Sequence, residues 1–456
     1  MGGANDLLLC AIPMASEISP KNDRRTIFGW CMYDWANSAY GMMVVSLLPV
    51  YFTSTIVGPG GLVLFGTRYY PDSLWAFMIG FADVMAFFAS PVLGAVADFS
   101  ASKLRFLLAF AYGGSLFTVL LYFSRGGDFW QTFILFVLAQ FAFISANVFY
   151  DAFLPQIASP DQMDWISGKG YSYGYVGGGL QFALSLVLVT VHDRLGISQE
   201  MAVRIGLAFA GVWWAGFTIF TARLVSDQGI PGSIPDRYHG WWRPLALAAI
   251  GFRRTLATTR HVGRFRHLVL FLISFMLYND GIQSVITLAT TYGAVELHLS
   301  TSVLMATLLL IQIIATGGAL LFGRIAERFG TKNAIMITLV LWSAVVVYAY
   351  FIHSATEFMT LGAVVGLILG GSQALSRSFF GSMIPEQASA EFYGFYTVFT
   401  KFSSIWGPFA FAIIKQISGS SRLAIVSLMV FFVVGLLLLS QVDEEKAREA
   451  RAAGAF

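Results

Sequence analysis

The sequence predicts an all-α polytopic membrane protein of twelve transmembrane helices arranged as two six-helix halves. Three observations predict it. Of 456 residues, 57% are hydrophobic and only 12% charged, with a mean hydropathy of +0.71, whereas soluble chains carry roughly 25% charged residues to keep their surfaces wet. Apolar windows of about twenty residues, the length that crosses a bilayer as a helix, recur twelve times along the chain. The last six windows also repeat sequence features of the first six.

The windows lie at roughly 28–52, 74–97, 105–124, 130–154, 171–192, 202–224, 267–292, 302–323, 333–352, 358–383, 393–415 and 422–441. Basic residues test this count, because Lys and Arg accumulate in cytoplasmic connections. Twenty of the 28 Lys and Arg fall before the first span, after even-numbered spans or after the last; among them are Lys21, Lys103, Lys169 and eight Arg between 223 and 266. Six (Arg68, Arg125, Arg194, Arg204, Lys415 and Arg422) fall on the opposite side, and Arg377 and Lys401 lie inside spans. Both termini are therefore expected in the cytoplasm; an odd number of spans scrambles this bias.

The expected organisation is a cytosolic tail over 1–26, six helices over 27–224, a basic cytosolic linker over 225–266, six helices over 267–441 and a charged cytosolic tail over 442–456. The first tail reads as disordered, since its short apolar run lacks the basic region of a signal peptide; Asp6 and Leu9 do not fit lipidation motifs, and Met14 is an alternative start. The linker stretch GWWRPLALAAIGFRRTLATTRHVGRFRH mixes Trp241 and Trp242 with bases, which suits one interfacial amphipathic helix. Cys10 and Cys31 give neither a disulfide framework nor a metal-ligand spacing.

GAVADFSASK at Gly94 is echoed by GRIAERFGTK at Gly323, 229 residues later, and FLPQIA at Phe153 by MIPEQA at Met383, 230 residues later. Asn147 and Arg377 stand 230 apart as well, and YDWANSAY at Tyr33 faces YNDGIQSV at Tyr278 once the longer loop GPGGLVLFGTRYYPDSL is set aside. Two six-helix halves in the same orientation, joined by a basic loop, resemble the major facilitator superfamily. The two loop copies are similar to that superfamily's signature G-x-x-x-D-(R/K)-x-G-(R/K)-(R/K). The second matches better, with Gly323, Glu327, Arg328, Gly330 and Lys332. The first keeps Gly94, Asp98 and Lys103 but has Phe99 and Ala101 where the base and glycine stand. An acid at a helix end pairs with a base or caps a neighbouring helix N-terminus, so both copies are candidate gating loops; a tight turn with solvated charges is the plain alternative.

YDWANSAY, YDAFLPQ at Tyr150, SGKGYSYGYVGGG at Ser167, YNDGIQSVI, GGSQALSRS at Gly370 and EFYGFYTVFTKFSSIWGP at Glu391 narrow the resemblance to the vacuole-effluxer-like branch of the major facilitators, which includes the fungal autophagy-related amino-acid effluxers. The resemblance spans Tyr33 to Pro408. It implies a transporter, and the short length and tail look like those of bacterial members, which places the protein in the inner membrane.

Ionisable groups inside a bilayer cost about 3 kcal/mol or more at its centre, so each needs a partner, water or a role. Asp34 and Asn37, Asn147 and Asp151, Asp280 and Gln283, and Gln373 and Arg377 are three or four apart and share helix faces. They fall on the first, fourth, seventh and tenth spans, which the superfamily fold places around a central cavity. Lys401 adds a base from the eleventh. The expected site is a polar cavity in which Asp34, Asp151 and Asp280 face Arg377 and Lys401. Arg377 suits bidentate capture of a substrate carboxylate, and a buried acid suits proton carriage. Structural ion pairing is the alternative for each. Asp83, in the second span with no evident polar companion, reads as structural.

The glycines Gly170, Gly174, Gly177, Gly178 and Gly179 read as close helix packing, and Pro408 as a kink in the eleventh helix. GKGYS is no phosphate loop, because Met163 stands where the leading glycine belongs and the segment runs into a membrane helix. With no H-E-x-x-H, no G-x-S-x-G and six scattered His, no catalytic or metal site and no cofactor is expected, and nothing else supports nucleic-acid binding. The expectation is a monomeric secondary transporter, coupled to protons, for a small polar or zwitterionic solute, with amino acids suggested by the resemblance. An exporter of lipid-like amphiphiles and a non-transporting sensor or assembly scaffold are the alternatives.

Overall fold

The computed structural model describes residues 20–238, 240–261 and 265–452; Cys10, Met14 and most of the first tail lie outside them. Among these residues, twelve helices are long and apolar enough to cross a membrane: α1 (Arg24–Ile56), α2 (Pro71–Phe99), α3 (Lys103–Phe123), α4 (Phe129–Ile157), α5 (Met163–Thr190), α6 (Gln199–Leu224), α7 (Arg266–Val295), α8 (Thr301–Phe329), α9 (Thr331–Ala349), α10 (Ala355–Met383), α11 (Glu386–Ser418) and α12 (Ser421–Ser440). Asp23 caps α1 by accepting the Thr26 backbone N–H (2.8 Å) and hydroxyl (2.9 Å), which hold its carboxyl below the usual range. The inserted loop after α1 is a small antiparallel hairpin, β1 (Leu62–Leu64) and β2 (Thr67–Tyr69), turned by Phe65 and Gly66 at φ 52° and 79°. Two successive positive φ values define the tight turn that matches strand twist.

The largest departure from the expected spans is α5, which begins at Met163 rather than near 171. Its first two turns carry Asp164, Ser167 and Lys169, which read as a connection by hydropathy. Asp164 and Ser167 are instead bound to the second half: Asp164 accepts hydroxyls of Thr331 (2.6 Å) and Ser378 (2.5 Å), and Ser167 donates to the Ala374 carbonyl (2.7 Å). Helices that pack across lipid approach through small residues, because tails offer no hydrophobic drive. At the α8–α10 crossing a Cβ on Gly318 would collide with the Leu367 carbonyl, whereas the adjoining Gly317 faces open space. We expect Gly318→Val to lower the thermal midpoint in detergent, costing about 1–3 kcal/mol of packing, and Gly317→Ala to leave it unchanged.

α11 is broken, but not at Pro408. Its first segment, Ser389–Phe402, ends at Ser403, and the second, Trp406–Ser418, starts afresh, with Pro408 inside its first turn. A missing proline N–H costs nothing in a first turn, where N–H groups lack helical partners anyway. Those orphaned donors have a partner in Asp280 of α7, whose carboxylate accepts the backbone N–H groups of Trp406 (3.0 Å) and Gly407 (2.9 Å).

The connection between halves includes a helix, Arg243–His261, whose Gly251 lies against Val92 and Val96 of α2. The chain end is less free than its charge suggests. The helix Glu444–Ala452 docks on the bundle, with Arg451 donating to the Ser382 carbonyl (3.1 Å) and Glu386 (2.9 Å).

Candidate functional site

The cavity lies between the halves. Asp34 and Asn37 of α1, Asn147 and Asp151 of α4, Gln283 of α7, Gln373 and Arg377 of α10 and Lys401 of α11 all line one space of about 310 Å³. Inside it the Asn37 amide donates to Asn147 Oδ1 (2.6 Å), and Gln373 Oε1 accepts the Tyr175 hydroxyl (2.7 Å). Gln283 forms part of the wall. Asp280 is the exception among the residues expected here. It sits on α7 beside the cavity-lining Asn279, with its carboxylate committed to the α11 break. Sequence spacing placed it on the correct helix; a broken neighbouring helix consumed its charge.

Arg377 forms the floor, about 9 Å of helix rise from the end of α10. Its Nη1 is 3.1 Å from Asp151 Oδ1 and 3.6 Å from Asp34 Oδ2. Nε donates to Ser167 Oγ (3.0 Å) and Nη2 to the Ser167 carbonyl (2.8 Å). Three rings face the guanidinium, with centroids 4.8 Å (Trp30), 5.2 Å (Tyr150) and 4.2 Å (Tyr171) from its carbon. Tyr150 also donates to Asp34 (3.0 Å). With its side chain 2% exposed and its fork engaged by the first half, Arg377 has no free edge for bidentate capture of a substrate in this conformation. It ties the halves together instead, since desolvated charges require this degree of pairing to be tolerated. A Cβ on Gly170 would press into Trp30, Tyr150 and Arg377, so the glycine-rich start of α5 makes room for this cage.

Lys401 is differently placed. Its Nζ pairs with Asp83 Oδ1 of α2 at 2.9 Å, and both side chains are 23% exposed. Asp83, read from sequence as lacking a companion, has one in the opposite half. Sequence spacing assigned Lys401 to the cavity acids of α1, α4 and α7 and left Asp83 alone, because a partner on a helix of the opposite half leaves no trace in spacing.

Below the cavity, at the face carrying both described chain ends, the halves close on one another. Asp98, its side chain fully buried, pairs with Lys103 (2.9 Å) and accepts the Glu391 backbone N–H of α11 (2.8 Å). Lys103 continues to the Ser389 hydroxyl (2.6 Å), and a Cβ on Gly94 would strike the Ala390 carbonyl. Ala101, where the signature has glycine, adopts the left-handed φ of 47° that the glycine would supply. The second copy is arranged differently despite its closer match. Gly323 lies against Asp164 and Trp165, and Gly330 has φ 84°. Glu327 and Arg328 are exposed, and Lys332 binds the carbonyls of Ser440 (2.8 Å) and Val442 (2.6 Å). The inter-half contacts named here lie between this face and the level of Asp83 and Lys401.

This architecture is shared with solved transporters. The proton:xylose symporter XylE superposes with a TM-score of 0.66 at 14% identity, over 95% of this chain and 98% of that one. The major facilitator transporter FucP in its outward conformation gives 0.65 at 12%, over 92% and 98%. At such identities the likeness shows the fold, that of a major facilitator superfamily transporter. The chain belongs to the family described as vacuole effluxer Atg22 like, which it matches over residues 22–452. It is 31% identical over 423 residues to the uncharacterized MFS-type transporter YxiO of Bacillus subtilis (strain 168), covering 92% of this chain and 95% of that protein. It is 28% identical over 303 residues to autophagy-related protein 22-1 of Aspergillus clavatus, a match that takes in 62% of this chain and only 50% of the fungal protein. The protein is an integral membrane transporter, not an enzyme.

Proposed function

We propose that the protein is a secondary active transporter that moves a small polar or zwitterionic solute, amino acids foremost, by alternating access coupled to protons. The carrying observation is the cavity of about 310 Å³ between the halves, lined by acids from the first half, Asp34 and Asp151, and bases from the second, Arg377 and Lys401. Such a lining solvates both ends of a zwitterion, and its size is at the lower end of the roughly 300–1,000 Å³ of small-molecule sites. The surplus of bases at the face bearing the chain ends supports placing that face in the cytoplasm of a bacterial inner membrane. With that face closed by Asp98, Lys103 and Gly94, the cavity is outward-facing, and the loop residues Gly323, Glu327, Arg328, Gly330 and Lys332 form the companion gate. The unit is a monomer, with no cofactor.

An apolar recess of about 130 Å³ lined by Met42, Val285, Ile286, Leu308 and Ile311 shares α1 and α7 with the polar wall and adds α8. It favours a second reading, an exporter of amphiphiles. Purified protein in liposomes, offered a panel of amino acids, other zwitterions and short-chain amphiphiles, distinguishes the two. Proton-gradient-dependent flux of a zwitterion is the expected result; flux without gradient dependence removes the coupling, and flux confined to amphiphiles selects the second reading.

A further inference from the structure

We propose that Lys401 is the cation that receives the anionic group of the substrate, and that Asp83 occupies Lys401 when substrate is absent. This rests on the transport reading above and assigns its anion subsite.

Two bases line the cavity, and they differ in what they have left to offer. Arg377 is enclosed by three rings and bound to Asp151, Asp34 and both oxygens of Ser167. Lys401 presents an ammonium of three donors on a flexible stem, is 23% exposed into the cavity, and has one acidic partner, Asp83 at 2.9 Å. Lys401 lines the cavity while Asp83 lies behind it, so this single ion pair holds Lys401 by fewer contacts than Arg377 has, and an incoming carboxylate competes there first.

The backbone supplies the second observation. Lys401 stands in the last turn before the break at Ser403, after which α11 restarts on the Asp280 cap. The neighbouring wall is Thr397 and Thr400, whose hydroxyls donate to Tyr393 (3.0 Å) and Tyr396 (2.9 Å) carbonyls of their own helix and turn oxygen lone pairs outward as acceptors for a substrate ammonium. Discontinuous helices are where transporters of this kind place their ligands. A ligand held at Lys401 also bears on the break between the two segments of α11.

Exchange has a charge consequence. When the substrate carboxylate takes Lys401, Asp83 loses its counter-charge inside the bundle. Asp83 itself becomes neutral if it takes up one proton, forming its O–H bond as the ion pair to Lys401 is given up; the site then gains one positive charge, carried by the substrate ammonium at the Thr397 and Thr400 hydroxyls. The other titratable groups around the pair are Tyr40 of α1, close to Asp83, Tyr396 of α11 and Tyr278 of α7 in the cavity wall, the latter bonded to Ser376, and, across the cavity, Asp34, Asp151, Tyr150, Tyr171 and Arg377, which are engaged with one another.

The test uses full-length protein in detergent and in liposomes. The twenty amino acids and their carboxamides serve as probes in thermal shift, followed by titration with a pH-indicator dye for any that bind. Wild-type protein is expected to be stabilised by at least one amino acid and not by its carboxamide, and to take up about one proton per ligand. Lys401→Gln should weaken that amino acid about tenfold or more, while Lys401→Arg retains it. Asp83→Asn should bind it at least as tightly as wild type and take up no proton. Wild-type affinity in Lys401→Gln, or parallel loss in Asp83→Asn and Lys401→Gln, overturns the assignment and leaves transport intact. Flux of an uncharged solute with no amino-acid binding overturns the subsite alone, and wild-type protein that neither binds nor moves any probe overturns both readings.

Discussion

Replacing Arg377 by Ala is expected to abolish transport and to destabilise the protein by about 3–5 kcal/mol, the cost of leaving buried partner charges uncompensated. Asp34 and Asp151 would face each other at the cavity floor with no cation, and Ser167 would lose the Nε and Nη2 donors. Trp30, Tyr150 and Tyr171 would surround an empty slot. Arg377→Lys keeps the charge but not the planar fork or the stacking, so it should recover part of the stability and little of the flux. A triple variant with Asp34→Asn, Asp151→Asn and Arg377→Met separates the two losses. It removes the whole charge group, restores much of the thermal midpoint because no unpaired charge remains, and stays inactive. Thermal unfolding in detergent reads the first quantity and liposome flux the second. A triple variant as unstable as Arg377→Ala means that the aromatic cage, not the charge pairing, carries the fold here.

Asp98→Asn should act on conformation as well as on stability, since it also leaves the buried Lys103 without its counter-charge. Asp98 holds Lys103 within the first half and the Glu391 N–H of the second, so its charge bridges the closed face. Hydrogen bonds to a charged group are worth about 1.5–3 kcal/mol, so losing this contact shifts the closed-to-open balance by roughly 10- to 150-fold. Spin labels at the exposed positions Asp161 and Glu327, in opposite halves at that face, report it as a longer distance in the variant. The segment after α6 reinforces the same corner: Asp227 accepts the Leu104 N–H (2.7 Å), Gly232 donates to the Phe99 carbonyl (2.8 Å), and Thr258 reaches Glu391 (2.5 Å). An unchanged distance distribution assigns the closure to that strap rather than to Asp98.

The fold was legible in the chain because bilayer crossing leaves a coarse signal: apolar length, alternating basic connections and an internal repeat. It failed locally where the helix itself is polar. Asp164, Ser167 and Lys169 look like a loop to hydropathy, yet Asp164 and Ser167 serve an interface that lipid never sees. For the cavity, helical spacing gave the faces of α1, α4, α7 and α10 but not what each side chain meets. That is why Asp280 read as a cavity acid while it caps α11, and why Arg377 read as a substrate clamp while three rings from three other helices enclose it. Stacking across helices leaves no periodic trace. The loop copies make the same point, since the one closer to the signature has its acid Glu327 in the open, and the degenerate one has Asp98 buried in the gate.

One feature of the interface bears on how the chain assembles. Within the bundle, Asp34, Asp83, Asp98, Asp151 and Asp164 all belong to the first half, and each takes a donor from the second: Arg377, Lys401, the Glu391 amide, or the hydroxyls of Ser378 and Thr331. Lys21 reverses the sense by pairing with Glu386 at the rim, and Lys103, Ser167 and Tyr175 also donate across, to Ser389, the Ala374 carbonyl and Gln373, but none of these three reaches an acid there. Two halves built on a repeat of one design could pair like with like, between copies of the chain as readily as within one. This polarity disfavours it, because two first halves would bring together Asp34, Asp83 and Asp151 without Arg377 and Lys401, and two second halves would bring those bases together without the acids. The halves thus act as complementary strands, and the first half emerges from synthesis with an unmet demand for cations that only the second can satisfy.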